Sequence, residues 1–285
     1  MVTLGIYEKA LPKNITWLER LKLAKELGFQ FVEMSVDESD ERLARLDWTK
    51  EERKEVVDAM YETGVRIFSI CLSGHRRYPF GSSDPKIREH ALEMMEKAID
   101  LAVDLGVRNI QLAGYDVYYE EKTLTSRAFF MENLKKAVHM AASKQVMLSI
   151  EIMDDPFINS VTKFNRIKSQ IHSPWLQVYP DLGNISAWPE NDVAYELELG
   201  IDEIVALHVK DTKNVTDDFP GKFKEVPFGE GDVDFLGCFK TLKQLDYHGT
   251  FMIEMWSETS DDPAKEIKKA KDYILPIMKE AGFNV

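Results

Sequence analysis

Four residues have types that could carry out metal-assisted acid–base chemistry: Glu151, Asp181, His208 and Glu254. Each stands in a short β-rich run: SIEIMD from Ser149, YPDLGN from Tyr179, ALHVKDT from Ala206 and MIEMW from Met252. Side chains alternate between the two faces of a strand. Glu151 and Ser149 therefore share a face opposite Leu148, Ile150 and Ile152, His208 opposes Leu207 and Val209, and Glu254 opposes Ile253 and Met255. If helices cover the apolar face, the polar face looks inward. Three inward carboxylates without a cation would repel one another and be driven to protonate. A divalent ion relieves that repulsion, and a carboxylate–imidazole donor set suits Mn²⁺, Zn²⁺ or Co²⁺. Any one of these residues alone would read as a satisfied polar side chain; four in consecutive units at the same depth favour an ion.

The elements that must position them repeat along the chain. A helical pattern, a glycine and a β-rich run recur as ELGFQFVEMSV from Glu26, ETGVRIFSICLS from Glu62 and DLGVRNIQLAG from Asp104. Gly28, Gly64 and Gly106 fit left-handed helix ends, where a Cβ would be strained. The β-rich runs predict strands near 2–8, 29–36, 66–73, 108–114, 146–153, 176–182, 204–210 and 250–255. Helical patterns near 17–27, 50–63, 86–105, 126–144, 160–171, 190–199, 234–245 and 263–281 lie between and after them. Strict βα alternation in eight units predicts an α/β protein, a (β/α)₈ TIM barrel spanning 1–285 as a single domain. The alternative, an open doubly wound sheet, lacks a Gly-rich fingerprint after the first strand. In a barrel the four residues fall at the C-terminal strand ends, where active sites form.

Composition narrows the partners. The formal net charge is −13, which disfavours nucleic acid and anionic membranes but leaves small anions open, since a metal and a few cations reverse the local field. The two cysteines, Cys71 and Cys238, lie in apolar stretches and read as core thiols of a reducing compartment. No run approaches the roughly 20 apolar residues of a membrane helix, and no signal segment opens the chain. A cytoplasmic location is expected.

Several segments together resemble a known family: LSGHRRYPFGS from Leu72, SIEIMD, YPDLGN, ALHVKDT, VPFGEGDVDF from Val226 and MIEMW. The whole chain is similar to the sugar-phosphate isomerases and epimerases with xylose-isomerase-like barrels, above all to the L-ribulose-5-phosphate (L-xylulose-5-phosphate) 3-epimerases of ascorbate utilisation. By that resemblance Glu151, Asp181, His208 and Glu254 are the metal ligands. Relatives acting on free ketoses carry a histidine three residues after the metal aspartate, where this chain has Asn184, and an arginine beyond the metal histidine, where it has Lys210-Asp211-Thr212-Lys213-Asn214. The departures favour a phosphorylated ketose. Barrels of this class also imply a homo-oligomer, a dimer or tetramer.

The expected reaction is epimerisation at C3 of a ketopentose phosphate, with Glu151 and Glu254 as the catalytic pair exchanging protons on opposite faces of the sugar while the ion polarises the carbonyl. Substrate contacts are expected from His75 and Arg76 after the third strand, Lys210 on the inward face of His208, Asn184, and Glu230 in a Gly229-Glu230-Gly231 loop whose N–H groups could face an anion. Gln111, inward on the fourth strand, is expected among the substrate-binding residues and as a support for Glu151. Aldose–ketose isomerisation on the same site is the first alternative. A metal-dependent nuclease acting at damaged DNA is a weaker one, given the acidic charge.

Overall fold

The computed structural model describes residues 2–285. Its strands are β1 (Thr3–Tyr7), β2 (Phe31–Ser35), β3 (Arg66–Leu72), β4 (Asn109–Ala113), β5 (Met147–Glu151), β6 (Leu176–Tyr179), β7 (Ala206–Val209) and β8 (Thr250–Ile253). The helices are α1 (Trp17–Glu26), α2 (Asp40–Leu43), α3 (Lys50–Thr63), α4 (Pro85–Leu105), α5 (Leu124–Ser143), α6 (Val161–Lys168), α7 (Leu182–Ser186), α8 (Val193–Gly200), α9 (Phe235–Gln244) and α10 (Pro263–Glu280). None of them, among the described residues, is long and apolar enough to cross a membrane.

Local chemistry accounts for the helix boundaries. Thr16 and Thr49 start α1 and α3 with capping boxes closed by Glu19 and Glu52, each satisfying two otherwise unpaired N–H groups. Gly28, Gly64 and Gly106 do adopt the left-handed conformation, with φ of 78°, 75° and 71°. Two short helices, α2 and α7, interrupt stretches that sequence patterning left irregular or extended. The sixth strand stops at Tyr179, and Asp181, expected inside it, instead caps α7 by accepting the Asn184 N–H at 3.0 Å.

All strand pairs are parallel, in the order β6-β5-β4-β3-β2-β1-β8-β7. The barrel closes between β6 and β7 through two isolated parallel bridges, Val178↔Ile204 and Asp181↔His208. Pro180 lies within this seam and has no N–H to donate to a ladder; its carbonyl accepts the His208 N–H at 2.9 Å. Two expected metal ligands therefore face each other at the closure. The outward faces (Ile6, Met34, Ile70, Leu112, Ile150 and Val209 among them) are buried in one apolar cluster with the helices. Both cysteines are free and buried.

Candidate metal centre

Glu151 ends β5, His208 lies within β7, Glu254 follows β8, and Asp181 lies just past β6. Parallel strands in register bring these positions to one end of the barrel. One ligand atom from each lies within 4.8 Å of the other three, and all four residues are buried. His208 Nδ1 is 3.0 Å from Glu151 Oε1, 3.7 Å from Glu254 Oε2 and 3.9 Å from Asp181 Oδ2. Capping α7 engages Asp181 Oδ1 and leaves Oδ2 turned to the cluster.

Among the described residues, the only cation in contact with these carboxylates besides the imidazole is Lys210, whose Nζ is 2.6 Å from Asp181 Oδ2 and 3.0 Å from Glu254 Oε2. Burial raises the Asp181 carboxyl, Glu254 and Glu151 add to the effect, and Lys210 only partly offsets it, so the group is pushed up to about 7. Burial also raises Glu254, but Lys210 and His208 outweigh it and hold it at about 2. For His208, burial acts downward, and Glu33, Glu254 and Glu151 more than reverse it, holding the imidazole well above its ordinary value. Three buried carboxylates and an imidazole with inward-facing oxygens fit a divalent ion.

A surrounding set of residues holds these groups in place. Gln111 Nε2 donates to Glu151 Oε2. Asn184 Nδ2 donates to the Ile152 carbonyl at 2.9 Å. His208 Nε2 meets Glu33 Oε1 at 2.7 Å, and Ser69 Oγ donates to the other Glu33 oxygen.

A cavity of about 40 Å³ lies against the cluster, bordered by Glu151 and Glu254 and by the cations Lys9, Arg76, Lys210 and Lys224. A neighbouring cavity of about 480 Å³ shares Lys210, Glu254 and Trp256 and extends along residues 225–230 towards α10. The first has room for little more than a water; the second has the size of a small-molecule site. A cavity of about 670 Å³ opens near the strand starts by Arg66 and Asn109, far from this chemistry.

The structure brings Glu151, Asp181, His208 and Glu254 together and places Gln111, Asn184, Arg76 and Lys210 around them. Arg76 borders the cavity with its guanidinium 5.4 Å from the ring centres of Tyr115 and Tyr118. His75 points elsewhere: its Nε2 lies 3.2 Å from the Ala91 carbonyl, its ring is 4.3 Å from that of Phe80, and burial lowers it to about 4. Glu230 borders the larger cavity. The N–H groups of Gly229 and Gly231 already have an anion, Asp211 Oδ2, at 2.9 and 3.0 Å. Sequence reasoning did not select Lys9, Lys224, Asp211 or Glu33 for the site. Lys9, two residues beyond the first strand, and Glu33, inward on the second, carried a positional signal; Lys224, in an irregular segment, carried none.

A sequence profile described as "Xylose isomerase-like TIM barrel" matches residues 21–277. Over 280 residues the chain is 59% identical to SgbU of Escherichia coli (strain K12), named provisionally as an L-ribulose-5-phosphate 3-epimerase, covering 98% of each chain. It is 57% identical over 282 residues to L-ribulose-5-phosphate 3-epimerase UlaE of Shigella boydii serotype 18 (strain CDC 3083-94 / BS512), covering 99% of this chain and 97% of that one. Among solved structures, 3-keto-D-glucoside 4-epimerase YcjR from E. coli superposes with a TM-score of 0.78 at 19% identity, covering 97% of this chain and all (100%) of that one. At that identity the likeness speaks to the fold.

Proposed function

The chain belongs to the xylose isomerase-like TIM-barrel family, and on that footing we propose that it is a metal-dependent 3-epimerase interconverting L-xylulose 5-phosphate and L-ribulose 5-phosphate. One observation carries the reading: Glu151 and Glu254 share a single buried cluster and both border the cavity against it. Inverting a carbon that bears hydrogen requires a proton to leave one face and another to arrive on the opposite face. Two carboxylates flanking the sugar can do this; one cannot easily do so. Their strands are separated by β6 and β7 around the barrel, which supports approach to the sugar from different sides.

Glu151, Asp181, His208 and Glu254 would hold Mn²⁺, Zn²⁺ or Co²⁺, which when bound polarises the C2 carbonyl and acidifies the proton at C3. Glu254, held ionised by Lys210 and His208, would take the C3 proton at a free oxygen, while Glu151, entering the cycle as the carboxylic acid, would deliver its own proton to the other face. In the reverse direction the roles exchange, and the pair regains its starting state by proton exchange with water between turnovers. Gln111 fixes the orientation of Glu151. Arg76 and Lys224 supply positive charge for the phosphate, while Lys9, which also borders the cavity, is already ion-paired with Asp37 at 2.5 Å. Lys224 is lowered from its ordinary value by burial and then by Arg76, as expected for cations gathered around a space that an anion would fill. Asn184 and Trp256 complete the wall.

Incubation of metal-loaded protein with L-ribulose 5-phosphate in D₂O tests the reading. Deuterium at C3 of both epimers is expected. Label confined to C1 or C2 would assign an aldose–ketose isomerase instead.

A further inference from the structure

The two ring nitrogens of His208 face different partners. Nδ1 looks into the cluster, 3.0 Å from Glu151 Oε1. Nε2 looks away from it, to Glu33 Oε1 at 2.7 Å. Glu33 comes from β2, which is separated from β7 by β1 and β8. It is fully buried, and Ser69 of β3 donates to its second oxygen. A carboxylate taken out of water is costly unless it is paired or hydrogen-bonded, and among the described residues His208 is the one basic side chain within 4.0 Å of it. Aromatic rings flank the imidazole: Tyr179 at 4.6 Å and Tyr7 at 6.5 Å between ring centres.

We propose that Glu33 is a positioning residue for the metal site: it holds the His208 proton on Nε2, so that the Nδ1 lone pair is presented to the ion, and it fixes the plane of the ring. The inference rests on the reading of Glu151, Asp181, His208 and Glu254 as metal ligands. A neutral imidazole has one N–H and one lone pair, and the hydrogen bond at one nitrogen decides which atom is free to ligate. A carboxylate at the far nitrogen also raises the basicity of the ligating one. Ser69 holds the second Glu33 oxygen, so the carboxylate cannot easily rotate away. The ligand on β7 is thereby anchored to β2 and β3, strands that contribute no ligand of their own.

The test uses metal-stripped protein reloaded with Zn²⁺ or Co²⁺, with no activity measurement required. In ¹⁵N-histidine-labelled, Zn²⁺-loaded wild type, long-range ¹H–¹⁵N correlation is expected to place the His208 proton on Nε2, with the resonance assigned by its loss in His208→Asn. Chelator competition is expected to give roughly ten- to a hundred-fold weaker Zn²⁺ binding in Glu33→Gln. The visible spectrum of the Co²⁺ form should change in that variant, and Glu33→Asp should recover part of both losses. A proton on Nδ1, or wild-type affinity and spectrum in a folded Glu33→Gln protein, overturns the assignment while leaving the metal site standing. If Glu33→Gln does not fold, the wild-type correlation spectrum alone decides. Wild-type protein that takes up neither ion overturns this inference and the metal reading together.

Discussion

Lys210 Nζ lies 2.6 Å from Asp181 Oδ2, inside the cluster rather than at its edge. With Glu254 Oε2 also 3.0 Å away, this ammonium is the internal counter-charge of two buried carboxylates. Removing one partner of a buried pair costs about 3–5 kcal/mol. Lys210→Met is expected to lower the melting temperature of metal-free protein markedly and to regain much of the loss when Mn²⁺ is added. Melting curves with and without the ion check this; an equal metal-induced rise in both proteins would show that Lys210 does not play this part.

Glu151→Gln and Glu254→Gln are each expected to lower kcat by about 10²-fold or more, the usual scale of positioned acid–base groups, with circular dichroism unchanged. Turnover close to wild type in both variants would remove the two-carboxylate scheme.

His75 gives a pH dependence. Burial lowers its imidazole from 6.5 to about 4, so the folded protein holds it neutral. Above pH 6.5 the folded and unfolded states are both neutral and stability is unaffected. As pH falls from 6.5 towards 4 only the unfolded state gains the proton, and stability is lost. At pH 5 the loss is about 2 kcal/mol. Urea unfolding at pH 7.5 and pH 5 should show wild type losing more than His75→Gln by that margin; parallel losses would contradict the account.

Asp211 holds the end of the segment between β7 and α9. Its carboxylate accepts the N–H groups of Gly229 at 2.9 Å and Gly231 at 3.0 Å, and a Cβ on Gly231 would lie 1.8 Å from Asp211 Oδ1. Asp211→Asn and Gly231→Ala are expected to loosen the segment that carries Lys224 and Glu230. KM should rise several-fold more than kcat falls, and proteolysis within 213–233 should accelerate, with metal affinity unchanged. An unaltered cleavage rate would mean that the clamp does not order the segment.

Much of this was legible before any fold was known. The β-rich runs of SIEIMD, ALHVKDT and MIEMW, and their alternation, foretold which side chains turn inward, and the glycine-ended helices foretold the βα repeat. The sixth unit was harder: the pattern in YPDLGN read as strand through Asp181, whereas Pro180 interrupts the ladder and Asp181 begins a helix. Both His75 and Arg76 follow the third strand in adjacent positions, yet one packs under α4 and the other borders the cavity. Their one-residue difference in direction within a short turn has no periodic signature.

The sequence by itself determined the alternation of faces, the eight βα units and the chemical types at the strand ends. These follow from local geometry, since a period of two residues needs no knowledge of distant chain. The tertiary structure alone decided that Glu33 meets Nε2 of His208, that Asp211 occupies the N–H groups of the glycine loop, and that Lys210 sits between Asp181 and Glu254. Those pairings depend on how the strands are staggered around the closed barrel and on the path of the irregular segments, and a stretch of chain carries neither until the other strands have fixed it in place.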